Sequence, residues 1–254
     1  MGARGRPTPQ PASAEGPRFR DRLPHEYRRS DVNPYVTLHR SFGPVLLTAN
    51  EAWEWRGRWA ERFGREAPLI VEIGSGNGEF MAALAARHPE HNVLGIEIRY
   101  KRTMLCAKKI LRAGIHNALI ARYHAAYLDD LLDPGTVAGF WVNHPDPWPR
   151  ARHDKNRLVS RWFLEDVSRL LVPRGFLRMK TDFLPNVTRA ELLIDHDAEG
   201  NAVPPLPLVV MGKATDVTTG AAPWPDDIET NYQSKFRKRG LPVHAIELRK
   251  PALA

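Results

Sequence analysis

From residue 69 to residue 180, short apolar runs alternate with stretches of helical period. Leu69–Ile73, Asn92–Ile98, Asn117–Ala121, Val137–Val142 and Phe176–Lys180 are strand-length, and largely too continuous to be half exposed. Glu79–Arg87, Arg99–Ala113, a short turn around Tyr127–Leu132, and Leu158–Leu171 read as the helices between them, with Gly114 closing the second. Pro173-Arg174-Gly175 reads as a turn and Pro185–Asp195 as one more helix. Leu206–Met211 and Val243–Leu248 then form an edge hairpin. This alternation predicts an α/β fold: a mostly parallel seven-stranded sheet with an antiparallel edge strand and helices on both faces. Upstream, order begins near Asn33-Pro34-Tyr35-Val36 and Pro44-Val45-Leu46-Leu47, and a helix follows Asn50 as N-cap. Trp55, Trp59 and Phe63 recur at helical spacing on its face, a stripe that reads as core packing.

Length and charge narrow the picture. The 254 residues, 43% of them hydrophobic, suit one domain over residues 31–254 after a tail over residues 1–30. That tail holds Arg4, Arg6, Arg18, Arg20, Arg22, Arg28 and Arg29 and almost nothing apolar, a composition expected to stay disordered and basic. A net charge of +8 points to a polyanionic partner. Cys106 alone excludes an intrachain disulfide and suits a reducing compartment. No apolar run approaches the ~18 residues of a membrane span, and residues 1–30 lack a secretory signal's apolar stretch. The expectation is a cytoplasmic protein without metal or membrane partner, acting as a monomer or homodimer.

Two stretches carry the chemistry. Val71-Glu72-Ile73-Gly74-Ser75-Gly76-Asn77-Gly78-Glu79 ends the first long strand in a Gly-x-Gly-x-Gly turn, where backbone can approach a ligand closely. Glu97 ends the next strand, roughly 20 residues on, where a carboxylate accepts from a ribose diol. Together they indicate a nucleoside-bearing cofactor, dinucleotide or S-adenosylmethionine. The spacing lacks the dinucleotide fingerprint's glycine inside the helix. Glu72 suits a cationic sulfonium or ammonium group better than a pyrophosphate; its bland alternative is pairing with a nearby Lys or Arg. S-adenosylmethionine is therefore favoured.

The second stretch runs from Trp141 to Arg157. Pro145, Pro147 and Pro149 end the fourth strand of the alternating series in a stiff turn, at the edge where open α/β sheets bind ligands. Asp146 offers an acceptor there and Trp148 a face that stacks on a base or caps the cofactor. Arg150, Arg152, Lys155 and Arg157 follow as candidate phosphate contacts.

VEIGSGNGEF (71–80), LGIEIR (94–99), PDPWPRARHDKNRLV (145–159), KTDF (180–183) and TNYQSKFRKRGLPVHAIEL (230–248) together resemble the bacterial tRNA (guanine-N7)-methyltransferases. The resemblance spans roughly residues 33–250, and block 145–159 is its most specific part. It implies a Rossmann-like class I methyltransferase domain that methylates guanine 46 of the tRNA variable loop. It also implies S-adenosylmethionine bound by Glu72, Glu97 and the turn of Gly74, Gly76 and Gly78, with Asp146 catalytic and touching the cofactor. Arg150, Asp182 and Thr230, Asn231, Tyr232 and Gln233 would bind substrate. Three positions depart from the family pattern: His124 for an acidic cofactor contact, Arg150 for lysine, and Gln233 for a glutamate implied to read the base. The exchange at 233 trades two acceptors for an acceptor and a donor. Three alternatives stay open: a related enzyme with another RNA or a small heterocycle as substrate, an RNA-binding paralogue without catalysis, and a dinucleotide oxidoreductase, which leaves block 145–159 unexplained.

Overall fold

The structure, a computed structural model, describes residues 16–19, 38, 40–150 and 156–252. The strands are β1 (Leu46–Leu47), β2 (Leu69–Ile73), β3 (Asn92–Glu97), β4 (Ala118–Arg122), β5 (Val137–Asn143), β6 (Leu171–Thr181), β7 (Val209–Ala214) and β8 (His244–Arg249). They form one sheet in the order β1-β4-β3-β2-β5-β6-β8-β7. β8 runs antiparallel to both neighbours, inserted between β6 and β7. The eighth strand is β1, two residues paired parallel to β4, which the apolar pattern marks only as the onset of order.

The helices are α1 (Ala49–Glu54), α2 (Trp59–Phe63), α3 (Glu79–Arg87), α4 (Tyr100–Arg112), α5 (Arg161–Leu170), α6 (Leu184–Leu192) and α7 (Asn231–Lys238), with a 3-10 turn at Ala125–Asp130. Period-2 alternation sends neighbouring strand residues to opposite faces, so each face carries its own core. Ile70, Val93 and Ile120 meet Phe80, Met81 and Leu84 of α3 and Cys106, Ala107 and Ile110 of α4. Val71, Leu94 and Val142 meet Trp59, Phe163, Val167 and Val187 on the other side.

Three local expectations change. The helix expected through Trp55, Trp59 and Phe63 is two helices, because Trp55 caps α1 through its own N–H and the Trp59 indole N–H docks on the Leu131 carbonyl at 2.8 Å. The N-cap of α1 is Thr48, whose side chain and that of Glu51 form a reciprocal capping box. Pro173-Arg174-Gly175 lies within β6 as an irregularity, since Leu171 already pairs with Val137.

Of the expected tail, residues 1–15 and 20–30 lie outside the described residues. Residues 16–19 sit against the end of β4, where Phe19 meets Tyr123 edge-on at 5.3 Å and Arg18 pairs with Asp129 and Asp130. Asp130 is buried and also accepts from the Tyr123 hydroxyl at 2.7 Å, so Arg18 supplies the cation that this carboxylate needs inside the protein.

Candidate active site

Strand order reverses between β2 and β5, the point where open α/β sheets form a ligand crevice beyond the carboxyl ends of their strands. On its β2 side the chain turns through Gly74, Gly76 and Gly78, all with positive φ. A Cβ on Gly74 would meet nothing within 4 Å, so this backbone faces open space. At Gly78 the constraint is internal: a Cβ would lie 2.6 Å from the Cys106 sulfur and 2.7 Å from its Cα. Gly74 thus leaves room for a ligand, whereas Gly78 lets α4 pack. Glu97, at the end of β3, holds the turn by accepting from the Gly76 N–H at 3.1 Å and the Arg99 N–H at 2.9 Å.

Glu72 is 1% exposed at the mouth of this turn. Its Oε1 accepts from the Asn143 amide at 3.4 Å, and Oε2 has no partner. The Asn143 Oδ1 is likewise buried without a donor. Burial pushes the Glu72 carboxyl up to about 7, with Glu97 adding to the rise. Two orphaned acceptors beside an open glycine turn fit a ligand that brings a cation and N–H donors. The alternative that Glu72 pairs with a Lys or Arg has no counterpart among the described contacts.

On the β5 side, His144 leaves the strand with φ 51 and Trp148 has φ 39, two non-glycine residues in the left-handed region. Such conformations persist where surrounding contacts over-determine them. The His144 N–H donates to the Lys180 carbonyl at 2.7 Å. The Trp148 carbonyl accepts from two nitrogens of Arg157 at 3.1 and 3.0 Å. Arg157, expected to contact phosphate, thus also clamps the loop through the Trp148 carbonyl. Asp146 and Arg150 are exposed on the loop. Arg152 and Lys155 lie outside the described residues.

A sequence profile described as "Putative methyltransferase" matches residues 66–201. The chain is 32% identical to the tRNA (guanine-N(7)-)-methyltransferase of Levilactobacillus brevis, over 75% of its own length and 84% of the relative's. It is also 32% identical to that of Lactiplantibacillus plantarum, over 82% of this chain and 92% of the relative. The chain belongs to the tRNA (guanine-N(7)-)-methyltransferase family. Its fold is shared with the 16S rRNA methyltransferase KamB, with a TM-score of 0.51 at 15% identity over 75% of this chain and 92% of that one.

Thr230 is buried as the N-cap of α7, its hydroxyl oxygen accepting the Gln233 N–H at 2.9 Å. Asn231 and Tyr232 are exposed. Gln233 is 4% exposed and both ends of its amide are consumed: Oε1 accepts from Lys180 at 2.7 Å and Nε2 donates to the Val217 carbonyl at 2.8 Å. Lys180, fully buried, also reaches Asp227 at 2.6 Å and the Ile228 carbonyl at 2.9 Å. A glutamate at 233 would meet the same cation. Here Asp227 supplies the negative charge and the amide supplies an acceptor, so the departure falls inside an internal strut.

His124 sits directly after β4, where its Nδ1 accepts from the Ala126 N–H at 3.0 Å and caps the 3-10 turn. The residue is exposed, yet partial desolvation of its ring by neighbouring groups lowers its basicity. Phe19 lies 6.0 Å from its ring. Sequence reasoning assigned no role to Asn143, His144, Lys180 or Phe19. Only the first two carried a signal, as the residues between the strand and the proline turn. His88, Glu90 and His91 have the spacing of a metal site, with both ring Nδ1 atoms on one Glu90 oxygen at 3.1 and 2.8 Å. They precede β3, at the end opposite Glu97. Among the described residues no helix is long and apolar enough to cross a membrane.

Proposed function

We propose that this protein transfers the methyl group of S-adenosylmethionine to N7 of guanine 46 in the tRNA variable loop, in the cytoplasm. The observation that carries the reading is the pair of unpartnered acceptors, Glu72 Oε2 and Asn143 Oδ1, joining the glycine turn to the loop of Asp146. Kinship with proteins named for this activity supports the choice of base and RNA.

Glu72, Asn143 and the backbone at Gly74 and Gly76 would hold the cationic end of the cofactor, and Glu97 with the segment around His124 its nucleoside end. When bound, the cofactor supplies an electrophilic methyl on a sulfonium. Guanine N7 carries a free lone pair, so no residue has to remove a proton first. The chain's task is to align the purine and to receive positive charge as it develops there. Asp146 on the stiff loop and Asp182 past the end of β6 provide carboxylates for that. The Asp182 carboxyl is held below the usual range, with the His144 ring the largest influence although at 3.7 Å it lies beyond hydrogen-bond distance. Arg150, beside Asp146 in the same loop, suits a phosphate of the RNA.

The test is methyl transfer from labelled cofactor to tRNA lacking N7-methylguanosine, followed by nucleoside analysis. N7-methylguanosine at position 46 is expected. Another methylated nucleoside, or none, would overturn the reading.

A further inference from the structure

The His144 ring joins three separate segments of the site. Its side chain is only 6% exposed, two residues before Asp146. Nε2 lies 2.9 Å from the Thr230 hydroxyl at the start of α7. Nδ1 faces Asp182 at 3.7 Å and has no hydrogen-bond partner. The ring stacks on Tyr232, with centroids 5.1 Å apart and planes 28° from parallel. Nothing in the glycine turn or the cofactor contacts uses it.

The network decides the ring's orientation of charge. The Thr230 oxygen accepts the Gln233 N–H and keeps both its O–H and a second lone pair, so it can serve Nε2 in either tautomer, and the choice falls to Asp182. A carboxylate accepts only, so the ring proton belongs on Nδ1; the other tautomer would aim a lone pair at Asp182. At 3.7 Å the contact is longer than a hydrogen bond, as polar contacts of a site often are before substrate closes it.

We propose that His144 is a positioning residue: as an Nδ1–H donor it orients Asp182 toward the base edge and, through Thr230 and Tyr232, ties the start of α7 to the Asp146 loop. This deepens the proposed function and rests on Asp182 being a contact to the purine. His144 itself touches neither reacting atom.

Two measurements test it. Nitrogen-15 NMR of the free protein reads the tautomer without any turnover: a protonated Nδ1 that loses its preference in D182N is expected, and a protonated Nε2 in the wild type would overturn the proposal. In kinetics, H144F keeps the stacked ring and removes both nitrogens. It should lower kcat/KM for tRNA about tenfold to a hundredfold, the range of a hydrogen bond to a charged group. Cofactor affinity should hold. H144N, whose amide replaces Nδ1 and tolerates a left-handed backbone, should stay within about threefold of wild type. The H144F/D182N double variant should be no slower than D182N alone. Additive losses, or full activity in H144F beside a slow D182N, would overturn it. Full activity in D182N would remove Asp182 as a base contact and the proposal with it. A wild type that makes no N7-methylguanosine would fail the proposed function itself, and the tautomer then decides the ring's role alone.

Discussion

The two sides of the crevice are built by different physics. On the β2 side the turn is held by backbone: Gly76 and Arg99 donate N–H groups to Glu97, and Gly74 donates to the Ile96 carbonyl at 2.8 Å. On the β5 side the loop and α7 are held by side chains from far along the chain, among them Lys180 with Asp227 and Gln233, and His144 with Thr230. A backbone-held site depends on which positions lack a Cβ. A side-chain-held site depends on partners, and tolerates a changed residue when another partner supplies the missing charge.

Breaking the side-chain-held half should cost most. Lys180→Met strands Asp227, the Ile228 carbonyl and Gln233 together, and should destabilise the fold by about 3 kcal/mol in urea denaturation. A loss below about 1 kcal/mol would mean that the strut contributes little.

Within the backbone-held half, two glycines separate packing from binding. Gly78→Ala puts a Cβ 2.7 Å from the Cys106 Cα at φ +79, and should cost about 2–3 kcal/mol of stability. Gly74→Ala has only its φ of +76 to overcome and should cost about 1–2 kcal/mol. Its larger effect should be on cofactor affinity, measured by calorimetry. Equal effects of the two on both readouts would erase the distinction.

The smallest effect probes the junction of the halves. The folded Glu72 carboxyl titrates near 7, above the ordinary 4.5. Its contribution to stability is therefore full below about 4.5 and is lost as pH rises through 7, where burying the charge costs most. Binding a cationic cofactor requires the opposite, an ionised Glu72. Affinity should thus fall towards about tenfold per pH unit below 7, with a proton released on binding. Glu72→Gln should flatten that slope and weaken binding above pH 7. A slope unchanged in Glu72→Gln would assign it to another group.

The chain's pattern alone was enough for the alternating strands and helices, the glycine turn with Glu72 and Glu97, and the proline loop bearing Asp146. These follow from local rules: strand burial, missing Cβ atoms, and fixed proline φ. The Thr48 capping box is just as local, its two residues three apart, yet the sequence reading set the cap at Asn50. Only the tertiary structure decided who meets whom across the sheet. It joined Asn143 to Glu72, Lys180 to Gln233 and Arg18 to Asp130, and turned Arg157 inward to Trp148. The first three of these pairs lie more than fifty residues apart along the chain, and spacing in a sequence holds no information about such distances. Burial does, because a polar group taken out of water must find its partner wherever the fold has brought one.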